Sequence, residues 1–210
     1  MKFFKKTILI IAVLSSCSVW AGNEDRAGSA GATDLLINPW ARSSAWGSAG
    51  LSSVNGLEAV FLNVAGLAYA DQTEVQFCRT NWMGNISGIG LNSAGLAQRV
   101  GEAGVLGISF VSLNYGDIEI TTTALPEGGI GYFNPSSTNF TVSYAKKFSS
   151  SISGGMNLKV VSQSISNVSA QGVALDAGIR YVTGDQDHIK FAISLKNVGP
   201  PMSFSGDGLS

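Results

Sequence analysis

The sequence predicts an all-β protein, a transmembrane antiparallel β-barrel, on three observations. The stretch Gly172–Thr183 alternates, with Val173, Leu175, Ala177, Ile179 and Tyr181 on one parity and Ala174, Asp176, Gly178, Arg180 and Val182 on the other. Side chains on a strand point to opposite faces in turn, so one face is apolar and the other carries an Asp and an Arg. Several candidate strands run ten residues or more. Strands of soluble domains are usually about 5–6 residues long, whereas a tilted membrane-crossing strand needs about 9–11. The chain also opens on an export signal, and its tight and longer connections alternate. A protein core satisfies the alternation of parities as well as a bilayer does, so length, signal and connections decide for lipid.

Met1–Ala21 carries Lys2, Lys5 and Lys6, the apolar run Ile8–Leu14, and Val19-Trp20-Ala21, whose small residues suit cleavage before Gly22. This is a secretory signal peptide, too short in its apolar run to cross a membrane as a helix. Its removal takes three lysines and no acids, leaving 10 basic residues against 14 acidic ones, a balance of −4. Leu14-Ser15-Ser16-Cys17 also resembles a bacterial lipobox, which would make Cys17 a lipidated first residue. On either reading Cys78 is alone, no intramolecular disulfide is possible, and Cys78 reads as a small apolar residue in a strand. With only 13% charged residues and no basic patch, the chain has no nucleic-acid-binding signature.

From Gly22 to Thr73 the alternation is absent. Gly, Ala and Ser dominate, around Asn38-Pro39-Trp40 and the run Leu57–Leu67. Trp40, Trp46, Phe61 and the leucines distinguish it from a free linker. It reads as a compact, plug-like irregular segment holding one short helix, ahead of strands that occupy residues 74–210.

The strand candidates are Val75–Trp82, Ile86–Val100, Val105–Tyr115, Thr138–Phe148, Ile152–Ser164, Gly172–Thr183 and His188–Asn197. Gly101–Gly104, Ser149–Ser151 and Gly184–Asp187 are tight turns. Gly116–Ser137 and Ile165–Gln171 are longer links, and Met83-Gly84-Asn85 is a short one on their side. Outer-membrane barrels show this pattern of short periplasmic turns and longer outside loops. Val105–Tyr115 is apolar on both parities, with Leu106, Ile108 and Phe110 against Val111 and Leu113. Its inner side is expected to pack on the Gly22–Thr73 segment. The chain then trails from Pro200 in a loop with no closing strand. Seven strands with an open edge imply the N-terminal part of a longer barrel.

Chemistry is sparse. His188, the single histidine, reads as an exposed structural residue beside a turn, and no His/Cys/Asp spacing suggests a metal site. No Gly-x-Ser-x-Gly elbow or phosphate loop is present, and Gly88-Ile89-Gly90, within a strand candidate, reads as a bend or a close-packing site. No catalytic residue, cofactor or metal is expected. The triplets at Asn85, Asn139 and Asn167 match the N-glycosylation pattern and carry no meaning in a bacterial outer membrane. Lys159, Asp176, Arg180, Lys190 and Lys196 lie on the polar parity and are expected to face a wet barrel interior.

Several motifs occur in order along the chain: Ile37–Ser44 (Ile-Asn-Pro-Trp-Ala-Arg-Ser-Ser), Gly56–Ala59, Leu62–Ala68, Gly104–Gly107, Gly116–Thr122 and Pro126–Gly129. Gly172–Gly178 and Lys196–Pro200 complete the series. In this order they resemble the N-terminal region of the PorV (LptO) family, outer-membrane proteins of the type IX secretion system of Bacteroidota. The resemblance implies a barrel of about fourteen strands, similar to the fatty-acid transporter FadL, with an N-terminal hatch. It implies a non-enzymatic shuttle with three protein partners. These are a SprA-type translocon, the C-terminal signal domains of exported cargo, and an attachment complex containing a PorU-type sortase. The family often has Asn-Pro-Ala-Gly-Leu where this chain has Asn63-Val64-Ala65-Gly66-Leu67.

Binding is expected on the outside loop Gly116–Ser137, with Asp117, Glu119, Thr122, Pro126 and Glu127 as its candidate contacts. The rival expectation is a FadL-like transporter of hydrophobic small molecules, which needs an apolar pocket beside the hatch. A lipid A-modifying enzyme ranks last, for want of an acid, base and nucleophile set.

Overall fold

The computed structural model describes residues 29–82 and 88–207. The signal peptide, Cys17, the link at Met83-Gly84-Asn85 and the triplet at Asn85 lie outside the described residues.

Seven long strands form one antiparallel meander in which each pairs with its sequence neighbours. They are β1 (Thr73–Asn81), β2 (Gly90–Val100), β3 (Gly104–Asn114), β4 (Ser136–Lys147), β5 (Ile152–Ile165), β6 (Val168–Thr183) and β7 (Ile189–Val198). All seven expected strands are present, and the fold is all-β and antiparallel. The sheet is open: among the described residues no strand pairs with the outer side of β1 or of β7.

The polarity of the sheet is inverted relative to a water-soluble protein. On β6, Val173, Leu175 and Ile179 are 50%, 55% and 59% exposed, while Asp176 and Arg180 are 4% and 3% exposed. The same inversion runs across the meander in register. Val75, Leu96, Ile108, Val142, Leu158, Leu175 and Val198 form one outward row through all seven strands. The adjacent row reads Phe77, Ala94, Phe110, Phe140, Val160 and Val173. One row further toward the Tyr115–Pro135 end stand Arg79, Asn92, Ser112, Thr138, Ser162 and Gln171, every one polar. The apolar band therefore has a sharp margin. At its other end Tyr144, Phe148, Tyr181 and Phe191 are exposed.

The inner face is covered by the N-terminal segment. After a short strand at Ser29–Ala30 this segment coils through 3-10 turns and two short helices, α1 (Ala41–Ala45) and α2 (Ala59–Leu62), rather than the one helix expected. Trp40, Leu57, Val60, Leu67, Ala68 and Ala70 pack with Ala97, Val105 and Ala145 of the wall. Inner-face glycines make room for it. A Cβ on Gly95 would stand 2.7 Å from a Leu57 methyl, one on Gly155 3.0 Å from the Val64 carbonyl oxygen, and one on Gly178 would collide with Asn63 Oδ1. Because one short segment reaches the inner side of β1 through β7, the sheet must curl around it. The double-sided apolar character of β3 has this cause: Val105 is in the inner core, and Leu67 lies over Gly107.

Two expectations about connections are corrected. Ile165–Gln171 is not a longer link. β5 and β6 continue toward each other until Ile165 pairs with Val168, leaving only Ser166-Asn167 as the turn, with Ser166 at φ +53°. Ser162, Gln163, Gln171 and Ser169 concealed this, because a strand continuing past the apolar band loses its alternation. The region after Pro200 is not a plain loop either. Met202–Ser203 pairs with Ser29–Ala30, and Ser205–Gly206 pairs with Ser169 and Val168 of β6.

Candidate functional site

Two features stand out for function: a polar seam between the inner wall and the N-terminal segment, and the long loop after β3.

The seam centres on Asp176. Its Oδ2 meets Lys159 Nζ at 2.6 Å and accepts from Asn157 Nδ2 at 2.8 Å, while its Oδ1 accepts from the backbone N–H of Asn197 at 2.8 Å. Lys159 also donates to Asn197 Oδ1 at 2.8 Å, and Asn157 Nδ2 donates to the Val60 carbonyl at 2.8 Å. Both charges of the ion pair are buried, so each depends on the other and on these hydrogen bonds. The register explains the meeting: Asn157 lies directly opposite Asp176, and Lys159 is two residues along on the same face.

Further along the wall, Arg180 donates to Asn55 Oδ1 at 2.6 Å and to the Val54 carbonyl at 3.2 Å. Its guanidinium lies 4.4 Å from the Tyr69 ring centre, and Lys147 stands 4.0 Å from the same ring. Lys196 lies 3.9 Å from the Phe61 ring. Asn63 caps the turn that follows it by accepting from Ala65 N–H at 3.1 Å, and it donates to the carbonyls of Leu51 and Ile179. Glu74 accepts from Leu57 N–H at 3.1 Å, and Arg99 donates to the carbonyls of Ala68 and Ala70. Cation–π contacts and hydrogen bonds thus fasten the segment to the wall in addition to its apolar packing.

Of the five charges expected inside, Lys159, Asp176 and Arg180 are buried in this seam, and Lys196 stands over Phe61 at its edge. Lys190 shares their parity but lies exposed at the rim, one residue into β7. Sequence reasoning gave no role to Asn157, Asn63, Asn197 or Glu74. Their signal is weak: an Asn or Glu on a polar parity is unremarkable until a carbonyl from a distant segment arrives opposite it.

The long loop is an ordered projecting hairpin. Ile118–Glu119 pairs with Tyr132–Phe133, and Tyr115 N–H donates to the Pro135 carbonyl at 3.0 Å. Asp117 accepts from Asn134 at 2.9 Å, Glu119 from Gly129 N–H at 2.8 Å, and the Thr122 hydroxyl from Leu125 N–H at 3.2 Å. Three of the five residues expected to contact a partner therefore brace the hairpin itself. Pro126 and Glu127 are exposed at its tip, beside exposed Leu125 and Ile130.

A cavity of about 380 Å³ lies below the hairpin, lined by Asp34, Tyr115, Ile118, Gln163 and Phe204 among others. Asp34 accepts from Ser137 and Gln163. Burial, and then the Asp34 carboxylate, push the Tyr115 phenol above its usual range. No group of three or more His, Cys, Asp or Glu residues able to hold a metal occurs among the described residues. His188 is exposed in the turn before β7, its Nδ1 against the Asp185 carbonyl.

No protein-family model matches the chain, and no curated protein does.

Proposed function

We propose that this chain belongs in the bacterial outer membrane as the N-terminal half of a hatch-filled barrel of about fourteen strands, and that it serves as the cargo shuttle of a type IX secretion system. The observation that carries the membrane part is the outward apolar band. Val173 to Tyr181 spans about 26 Å along β6 at about 3.3 Å per residue. A tilt of about 40° reduces this to about 20 Å of membrane depth, near the roughly 25 Å apolar belt of such barrels. In water this surface would be an aggregation template, whereas in lipid it is the solvated face.

The secretion part rests on the ordered motif series from Ile37 to Pro200 and its resemblance to the PorV family. The projecting hairpin suits that role: it is preformed, so a partner need not supply the energy to order it. Its exposed tip offers Leu125, Pro126 and Glu127. On this reading the partners are the C-terminal signal domain of cargo, a SprA-type translocon and a PorU-type attachment complex. No covalent step is required of the chain.

The test is a strain lacking the gene, scored for proteins bearing type IX signal domains. The expected outcome is loss of these proteins from the surface and medium, with retention in the periplasm. Normal secretion with impaired uptake of fatty acids would instead establish the rival, a FadL-like transporter. That reading draws on the partly apolar cavity of about 380 Å³ beside the N-terminal segment.

A further inference from the structure

Three cations meet on the inner wall near its tight turns, with no carboxylate between them. Lys147 on β4 pairs with Ser153 on β5, and Ser153 pairs with Arg180 on β6, so the three share one inward row. Arg99 stands one inward row deeper, on β2, in register with Val105 and Ala145. Tyr69 of the N-terminal segment lies over the row, its ring centre 4.4 Å from the Arg180 guanidinium and 4.0 Å from Lys147 Nζ. Measured through that shared ring centre, the two charges are at most about 8 Å apart. The charges bearing on Lys147 are those of Arg99 and Arg180, cations both. Lys159 by contrast has Asp176 at 2.6 Å, and Arg42 has Glu58 at 3.2 Å. Among the described residues no carboxylate forms an ion pair with Arg99, Lys147 or Arg180.

Two buried polar groups in the same row lack partners. Arg180 is 3% exposed and donates through Nη1 to Asn55 and Val54, while its Nε has no hydrogen-bond partner. Ser153, directly opposite it and fully buried, has none for its Oγ. Unpaired buried groups are rare, and each calls for an explanation such as a bound water or ion. The Nε side of a guanidinium is one of the forks that grip an oxyanion through parallel hydrogen bonds. In Arg180 the N-terminal segment occupies the Nη1 side and leaves the Nε side without a partner.

We propose that Arg180, Ser153 and Lys147 hold a phosphate group, with Arg99 adding to the positive field. The charge selects the class. Three unmatched cations suit a dianion, whereas a single carboxylate would leave most of their charge unbalanced. The donors fit as well: a guanidinium edge, a hydroxyl and an ammonium all donate to phosphate oxygens. Lys147 and Arg180 are close enough for one oxyanion to bridge them, with a charge-assisted hydrogen bond of about 2.8 Å at each end. Lys147 is exposed, so the site has an entrance from solvent at its end of the row. The sheet separates these inward side chains from anything on the outer face, which makes the ligand a soluble phosphate, either the free ion or a monoester. The membrane and secretion readings are not needed for this site, and it can fail without them.

The test is isothermal titration calorimetry of the full chain, folded in detergent, with inorganic phosphate and with glycerol 3-phosphate at low salt. The expected result is one saturable site per chain. Tighter binding of inorganic phosphate assigns the free ion, tighter binding of glycerol 3-phosphate assigns a monoester, and both support the class. Lys147→Gln and Ser153→Ala should each weaken binding by roughly tenfold or more. Lys146→Gln removes the same charge from the outward parity and should bind as the parent does. Both site variants are mild, since Lys147 is exposed and Ser153→Ala deletes one oxygen, and trypsin resistance reports their folding. Absence of saturable binding by the folded parent, or parental affinity in both folded site variants, overturns the proposal. Displacement of phosphate by an equal concentration of acetate would overturn the phosphate class.

Discussion

Gly178 and Asp176 are two residues apart on one face of β6 and do opposite things for the inner wall. Gly178 is a space: Asn63 Oδ1 occupies the place its side chain would take. Gly178→Leu should unseat the N-terminal segment and cost about 1–3 kcal/mol, the usual penalty of overpacking. Limited trypsin digestion should then clip the chain between residues 29 and 72 while the strands stay protected. Asp176 is a charge that depends on its neighbours. Asp176→Leu leaves Lys159 buried with only Asn197 for company, and removing one member of such a pair costs about 3–5 kcal/mol. Lys159→Met in the same background should recover most of the loss. Urea unfolding in lipid vesicles, run as a double-mutant cycle, measures both steps, and absence of recovery would show that the ion pair is not what holds Asp176.

At the scale of an element, β6 is a two-faced strand, and substitution should depend on the face and on the row. Leu175→Arg and Ile179→Arg put a cation into the apolar band and should impair assembly by about 2–4 kcal/mol each. Gln171→Arg, in the polar row, should cost about 0–1 kcal/mol. Heat-modifiable mobility on gels after folding into vesicles reads all three, and equal effects at Gln171 and Leu175 would show that the row does not mark a boundary. The hairpin after β3 is braced by its own hydrogen bonds, so replacing Thr122–Glu127 with a short Gly-Ser linker should leave folding of the seven-stranded sheet unchanged. If the proposed shuttle role holds, the same change abolishes capture of a cargo signal domain in a pull-down. The sequence disclosed the strands of this sheet but not all of their ends. β5 and β6 run on through Ser162, Gln163, Ser169 and Gln171, where neither parity is apolar and period-two hydrophobicity has nothing to report.

For the whole molecule, six antiparallel steps leave β1 and β7 running in the same direction. Antiparallel closure into the barrel proposed above would therefore require an odd number of further strands. Two copies related by a twofold axis along the barrel would bring β1 against β7 in parallel, so self-assembly is a poor substitute. The proposed location has a direct check: the protein should float with the outer-membrane fraction on a sucrose gradient and resist carbonate extraction. Recovery in the soluble periplasm would contradict it.

The sequence by itself determined the all-β class, the seven strands and the parity that separates greasy from polar residues, because alternation is a local property of each strand. It also brought out the charges Lys159, Asp176 and Arg180 and the loop after β3, though not what they touch. Only the tertiary structure decided that the inward charges are enclosed by a packed segment and that the glycines on their face are its seats. Asn63, Asn157 and Asn197 gained their roles in the same way. These facts depend on contacts between residues far apart in the chain: Asn157 with Val60, Asn63 with Ile179, Met202 with Gly172. A local pattern fixes which residues share a face, and curling the sheet around the N-terminal segment decides what the inner face touches.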